Sequence, residues 1–285
     1  MMRKPFVWKL KARDLKLGER TLIMGVLNVT PDSFSDGDKY LDPDRAFARA
    51  VEIEEQGADI LDIGAESTKP GSVRISAAEE NRRLIPVLKR LRGKLGIPIS
   101  VDTYKGEVAE LAIGHGAEII NDPSALTIDP LIAKIVAQHD AGLILNHMRG
   151  RPETWAKLPP LRDVMGTITR ELEATVSRAR GVGVDRSRMV IDPGLGFGKR
   201  KEQNSEILAQ LDKLAALDLP MMAGPSRKSF LSQQDEDQTR FATAAAVTAC
   251  VLAGAHIVRV HDVAEMRAVL QVADEVLRYQ VGTEQ

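Results

Sequence analysis

Short apolar runs alternate along the chain with longer stretches in which apolar positions recur every three or four residues. The short runs cover residues 21–29, 59–65, 98–103, 118–122, 142–147, 189–192, 220–224 and 257–261. They are rich in Ile, Val and Leu and mostly lack polar alternation, the pattern of strands buried on both faces. Between them, residues 44–56 place Ala46, Phe47, Ala50, Val51 and Ile53 at helical spacing, with Gly57 as the stop. Residues 77–95 and 163–180 repeat the helical pattern. A junction of helix, Gly-Ala and strand recurs at 57–58, 116–117 and 254–255. It reads as repeated turn chemistry at helix C-termini, not as a sequence repeat.

About eight βα units without a break predict a closed TIM (β/α)8 barrel, a single α/β domain over residues 1–285. An open doubly wound sheet is the alternative, because strand count alone does not show closure. Residues 7–17 are expected to add a short strand or hairpin that closes the barrel bottom. Length alone suggests two domains, but α/β barrels of roughly 250 residues fold as one.

The composition, 44% hydrophobic and 28% charged, is ordinary for a globular protein able to bury a sizeable core. A formal net charge of -1 gives no global field for nucleic acid, so anion binding must be local. No stretch reaches the roughly 18 consecutive apolar residues of a membrane span. Residues 1–17 lack the apolar block of a signal peptide. A cytoplasmic location is expected, with small-molecule substrates and neither membrane nor nucleic acid as partner. The single Cys250 excludes an intramolecular disulfide; in its Ala-rich helical setting, 243–253, it reads as packing. The acidic run 233–238 reads as a solvated loop.

Nearly every strand candidate ends in a group able to bind or react: Asn28, Glu66, Asp102, Asn121 with Asp122, His147, Asp192, Ser226 with Arg227 and Lys228, and Arg259 with His261. In a barrel these ends converge on one face, where βα loops build the active site. An Asp after a strand is also commonly a helix N-cap, and Asp122 and Asp262 stand evenly between the two readings. Caps have no use for His, Lys or Arg, so the set as a whole points to chemistry. The turn DPGLGFGK at 192–199 interleaves three glycines with apolar residues and ends in Lys199. It is neither a Walker loop nor the opening of a dinucleotide unit, and by itself it reads equally as a tight turn needing positive φ. Arg227, Lys228, Arg259 and, when protonated, His261 add cations to the same rim, a set suited to a leaving group such as phosphate. His115, His139 and His256 fall near helix C-termini, where the dipole explains them. His147 stands between ligand contact and structural hydrogen bonding. No dedicated metal motif is present, but Mg2+ shared with phosphates is compatible, since such sites borrow oxygens from substrate and water.

These blocks resemble the dihydropteroate synthases. The matching segments are GVLNVTPDSFSDG at 25–37, DIGAEST at 62–68, SVDT at 100–103, IND at 120–122, DPGLGFGK at 192–199, SRKSF at 226–230 and RVHDV at 259–263. The resemblance implies a transferase of folate synthesis that condenses 6-hydroxymethyl-7,8-dihydropterin pyrophosphate with p-aminobenzoate, giving 7,8-dihydropteroate and pyrophosphate. Carried over by motif, Asp102, Asn121, Asp192 and Lys228 hold the pterin. Thr68, Pro70, Phe197 and Ser226 form the p-aminobenzoate pocket. Asn28, Lys69, Arg259 and His261 bind pyrophosphate, with Asn28 also on Mg2+. The catalytic set is Asp102, Lys228, Arg259 and His261. The pterin edge presents amine and amide donors that two carboxylates accept, and a buried carboxylate is costly without such donors. The resemblance also implies loops at 30–40 and 67–73 that close over the site, and a homodimer for which the helix at 243–253 is a candidate contact.

Several positions depart from the family pattern. Lys69 stands where Arg is usual, Leu195 where Phe is usual, and Pro123 where a small aliphatic residue is usual. Asn146 and Arg149 change a block that commonly reads Met-His-Met-Gln-Gly. Competing readings are a methyltetrahydrofolate:corrinoid methyltransferase, a divergent pterin-binding paralogue without synthase activity, and a Schiff-base aldolase using Lys228.

Overall fold

The chain begins with an antiparallel hairpin, β1 (Phe6–Lys9) and β2 (Asp14–Leu17), in which Trp8 faces Leu15. Strands and helices then alternate: β3 (Leu22–Asn28), α1 (Pro43–Glu55), β4 (Ile60–Gly64), α2 (Ala77–Leu91), β5 (Ile99–Asp102), α3 (Gly106–Gly114), β6 (Ile119–Asp122) and α4 (Leu131–His139). The second half continues with β7 (Gly142–Asn146), α5 (Val164–Gly181), β8 (Met189–Asp192), α6 (Lys201–Ala209), β9 (Met222–Ala223), α7 (Glu236–Leu252), β10 (Ile257–Val260) and α8 (Val263–Gly282). The computed structural model describes residues 3–30, 42–67 and 72–282. Thr68, Lys69 and Pro70, and most of the two loops expected to close over the site, lie outside the described residues.

The long strands pair in parallel in the order β8-β7-β6-β5-β4-β3-β10-β9. A parallel bridge between Ile191 and Met221 joins the two ends, and the Ile191 N–H donates to the Pro220 carbonyl at 3.0 Å. The sheet is therefore closed, and the open doubly wound alternative is excluded.

Closure explains the non-alternating strands. Side chains of one parity, including Met24, Ile60, Ile119 and Ile144, fill the lower barrel, while Ile23, Leu61, Val101 and Leu143 of the other parity pack outward in the helical layer. Trp8, Leu10 and Leu17 from the hairpin join the inner cluster. Trp8 is fully buried and donates through Nε1 to the Arg188 carbonyl at 2.9 Å. The hairpin closes the barrel bottom, as the sequence predicts.

Helix ends follow local chemistry. Gly57, Gly116 and Gly254 take φ of 97°, 107° and 95°. The following Ala58, Ala117 and Ala255 N–H groups reach back five residues to the carbonyls of Ile53, Ala112 and Cys250, the bond of a Schellman cap. Two expectations need correction. The helix predicted over 77–95 stops at Leu91, because Arg92 leaves helical geometry and Gly93 adopts φ 67°. The acidic run 233–238 is not all loop: Asp235 caps α7 by accepting from the Gln238 N–H at 2.7 Å, and Glu236 and Asp237 occupy its first turn, where the helix dipole favours acidic side chains. Cys250 is buried on this helix, as packing requires. Among the described residues, no helix is long and apolar enough to cross a membrane.

Candidate active site

One step above the apolar plug, the same inward parity delivers polar side chains. Asn28, Gly64, Asp102 and Asn121 stand on one register line across β3 to β6, and Asn146 stands beside Asp192 across β7 and β8. Arg259 reaches across from β10: its Nε donates to Asp62 Oδ2 at 2.6 Å and its Nη2 to Asp102 Oδ2 at 2.9 Å. Asn121 Nδ2 also donates to Asp62 Oδ2, at 3.2 Å. Asp62 is 0% exposed. The remaining oxygens, Asp62 Oδ1 and Asn121 Oδ1, are buried and accept from no donor among the described residues. Such orphaned acceptors are costly, and a ring with amine and amide donors would satisfy them.

Burial sets the charges here. It raises the Asp102 carboxyl well above the ordinary range; Arg259 opposes that shift and Asp62 reinforces it. Burial pushes Asp192 up to about 6 despite the hydrogen bond it accepts from the Gly194 N–H at 2.6 Å. Lys228 is pushed down to about 8, by burial and then by Arg259. Its ammonium lies 4.0 Å from the centroid of the Phe197 ring. Two glycines make room for this arrangement. A Cβ at Gly196 (φ 81°) would stand 3.0 Å from Lys228 Cδ, and one at Gly194 (φ 69°) would strike the His147 carbonyl oxygen at 1.8 Å.

Not all the rim cations face a ligand. Arg227, at φ 55°, forms a bidentate pair with Asp262, at 3.1 and 2.5 Å, and also contacts Glu236. Lys199 turns inward and donates to the carbonyls of His147, Pro193 and Gly194 at 2.7–2.8 Å. Burial holds its pKa well below the ordinary lysine value. It stitches the glycine turn together, its donors committed to those carbonyls. His261 is neutral, pushed down to about 3 by burial and by Arg259. Ser226 Oγ accepts from the His261 backbone N–H at 3.2 Å and lies 3.0 Å from His261 Nδ1. This pattern makes the serine hydroxyl the donor to Nδ1 and leaves the imidazole proton on Nε2, free for an anion.

Other candidates are structural. Asp122 points away from the barrel interior and accepts from the N–H groups of Ser124 and Leu126 and from the Ser124 hydroxyl. His256 bridges the Met221 N–H and the Lys4 carbonyl, an anchor for the N-terminal segment and not merely a dipole partner. His115 contacts the Leu111 carbonyl and His139 contacts Glu110. His147 is paired through Nε2 with Glu171 at 2.9 Å, while its Nδ1 is buried and has no partner among the described residues.

Sequence reasoning missed Asp62 as a site residue, although its signal was present: Ile60, Asp62 and Gly64 share the inward parity of a buried strand. It also missed Trp155, whose ring meets Phe197 edge-on at 5.6 Å. Glu66 does not join the central cluster; it pairs with Lys105 and Tyr104 beside it.

The donor set bears on Mg2+. Among the described residues, no group of three or more His, Cys, Asp or Glu side chains is placed to hold a metal ion. Asn28 is exposed at the end of β3. A Cβ added at Gly64 would lie 3.8 Å from its amide oxygen and 3.7 Å from Asp102 Cβ, so the glycine keeps open a space between the two. One amide oxygen beside such a space fits a Mg2+ ion that keeps its waters and borrows phosphate oxygens.

The fold and site define a (β/α)8-barrel enzyme whose mouth gathers buried acceptors and cations at the strand ends. Residues 24–261 match the family described as pterin binding enzyme. The chain is 43% identical over 265 residues to the dihydropteroate synthase of Synechocystis sp., covering 92% of each, and 39% identical to that of Bacillus subtilis, covering 94% of this chain and 92% of that one. The structure of the Xanthomonas albilineans dihydropteroate synthase with 4-aminobenzoic acid is similar at a TM-score of 0.88, with 38% identity over 96% of this chain and 98% of that one. The chain belongs to the pterin-binding enzymes and, within them, to the dihydropteroate synthases, which are transferases.

Proposed function

We propose that this chain, acting as one barrel domain, joins 6-hydroxymethyl-7,8-dihydropterin pyrophosphate to p-aminobenzoate. The observation that carries the reading is the row of acceptors, half-buried Asp102 with buried Asn121 and Asp192, facing Lys228 and Arg259 above the plug. Asp102, Asn121 and Asp192 accept from the donors of the pterin edge, and Lys228 donates to its acceptors. The bond from the pterin methylene carbon to the pyrophosphate oxygen breaks, and its electron pair leaves with pyrophosphate. Asp102 stabilises the positive charge that develops on the methylene. Arg259 and the Nε2–H of His261 stabilise the departing anion, as preorganised charges do in a site closed to bulk water. The p-aminobenzoate nitrogen then bonds to the methylene carbon and loses a proton. Phe197, Ser226, Thr68 and Pro70 are assigned to that second substrate, and Lys69 to pyrophosphate. Asn28 would hold Mg2+, which when bound supplies Lewis-acid charge to the pyrophosphate.

A homodimer is part of the proposal. Val272, Val276 and Tyr279 lie on one exposed face of α8, and Phe241 is exposed on neighbouring α7. This apolar surface is a better contact than the Ala-rich segment, whose Thr243, Ala246, Val247 and Cys250 are buried within the molecule. Cytoplasmic location completes the reading. The test is pyrophosphate release with the pterin pyrophosphate, p-aminobenzoate and Mg2+. Release that requires p-aminobenzoate, with dihydropteroate formed in equal amount, supports the reading; release without p-aminobenzoate, or none, refutes it.

A further inference from the structure

Past β9 three consecutive side chains meet three different partners. Ser226 turns to the end of β10, its Oγ 3.0 Å from His261 Nδ1. Lys228 turns to the glycine turn, its ammonium 4.0 Å from the centroid of the Phe197 ring. Between them Arg227 takes φ 55°, a left-handed backbone that costs energy for any residue with a Cβ. Its N–H donates to Thr243 Oγ1 of α7 at 3.3 Å. Its guanidinium grips Asp262 through Nε at 3.1 Å and Nη2 at 2.5 Å, a two-point contact that fixes direction as well as distance.

Asp262 stands immediately before α8, where an aspartate ordinarily accepts from an N–H of the first helical turn. Among the described residues no N–H of that turn donates to its side chain, and its hydrogen bonds come from Arg227. The Arg227 side chain is 42% exposed, and an ion pair open to water adds little stability. What the pair does is join the segment that carries Lys228 to the strand end that carries Arg259 and His261. Arg259 of β10, Asp192 at the end of β8, Asp102 at the end of β5 and Lys199 of the glycine turn act on the Lys228 charge. Burial and Arg259 lower its pKa to about 8, with Asp192 and Asp102 opposing. A Lys228 released toward solvent would titrate higher.

We propose that Arg227 and Asp262 are positioning residues: their two-point contact holds the left-handed backbone at Arg227 and so keeps Lys228 seated against the Phe197 ring, facing Arg259. Its catalytic consequence rests on the reading of Lys228 as a donor to the pterin. The test is competitive labelling of the full chain with acetic anhydride at a series of pH values, Lys228 being read by peptide mass spectrometry, with steady-state kinetics alongside. In the parent Lys228 should titrate at about 8. In Asp262→Asn and in Arg227→Met the titration should rise by at least about one pH unit, toward the ordinary lysine value of about 10.4. Direct charge effects would move these two variants in opposite directions, so a shared rise reports the lost seat. The kcat/KM for the pterin pyrophosphate should fall at least about ten-fold in both, and the double variant should match either alone, because each removes one contact. Arg227→Gly adopts φ 55° without strain and should keep more of the parent titration than Arg227→Ala. Thermal midpoints should stay within about 3 °C of the parent. An unmoved Lys228 titration in Asp262→Asn overturns the proposal. So does a shift that is equal in Arg227→Gly and Arg227→Ala and comes with a lowered midpoint, which marks a role in folding only. A raised titration with unchanged kcat/KM upholds the pair as the seat of Lys228 and removes Lys228 from the proposed reaction.

Discussion

Asn146 donates through Nδ2 to the carbonyl oxygen of Pro123 at 2.9 Å, so two departures from the family pattern are in contact with each other. The amide nitrogen is committed to the backbone at the end of β6, and Oδ1 is left as the acceptor of this side chain beside Asp192. Asn146→Leu removes the partner of a buried carbonyl. It should lower stability by about 1–3 kcal/mol, read as a shift of the urea midpoint; an unmoved midpoint would show that the contact carries no stability.

The proposed reaction assigns the developing charge to Asp102, and Arg259 retains Asp62 if Asp102 is neutralised. Asp102→Asn should therefore fold normally yet lose turnover by at least about a hundred-fold. Near-normal turnover, with the circular dichroism of the parent, would remove Asp102 from the mechanism.

Asp62 is the deeper partner of Arg259, fully buried and bonded to Asn121 as well. Asp62→Ala leaves a buried guanidinium with one partner fewer, and removing one member of a buried ion pair costs about 3–5 kcal/mol. Denaturant titration checks this; a loss under about 1 kcal/mol would mean that Arg259 relaxes toward solvent or Asp102 without strain.

Arg259→Ala separates the two ligand regions. Affinity for the pterin pyrophosphate should fall far more than affinity for free hydroxymethylpterin, measured by calorimetric titration. Equal losses would contradict an anion-binding role for Arg259 and confine it to ordering Asp62 and Asp102.

The titrating groups of the pterin site predict a bell-shaped profile. As pH falls through about 7 and then about 6, Asp102 and Asp192 gain protons and cease to be full acceptors. As pH rises through about 8, Lys228 loses its charge. The kcat/KM of the free enzyme should thus fall on both sides of neutrality. Lys228→Arg should keep its charge and flatten the alkaline limb. A flat wild-type profile from about pH 5 to 9 would exclude all three groups from binding and catalysis.

The strands were legible because burial on both faces leaves long apolar runs, and the turns because Gly57, Gly116 and Gly254 must take positive φ. The closing contact between Ile191 and Met221 was not legible, since it depends on how far the sheet curls. Among site residues, Asn121 and Asp192 announced themselves as polar groups ending buried strands. Arg227 and Lys199 did not show where they point: a backbone at φ 55° and a lysine folded onto three carbonyls look, in sequence, like rim cations. Tyr104 is hydrogen-bonded to Arg74 and Glu66, 30 and 38 positions away, and no local pattern records these contacts.

Trp8 and its hairpin stopper the lower end of the barrel. The cavity above is therefore a well with one entrance, and traffic through it is last in, first out. In the proposed reaction the pterin, seated at the floor against Asp102, Asn121 and Asp192, must arrive before p-aminobenzoate can occupy the neck. A molecule of p-aminobenzoate that arrives early is an obstruction, so excess of the second substrate should slow the reaction instead of saturating it.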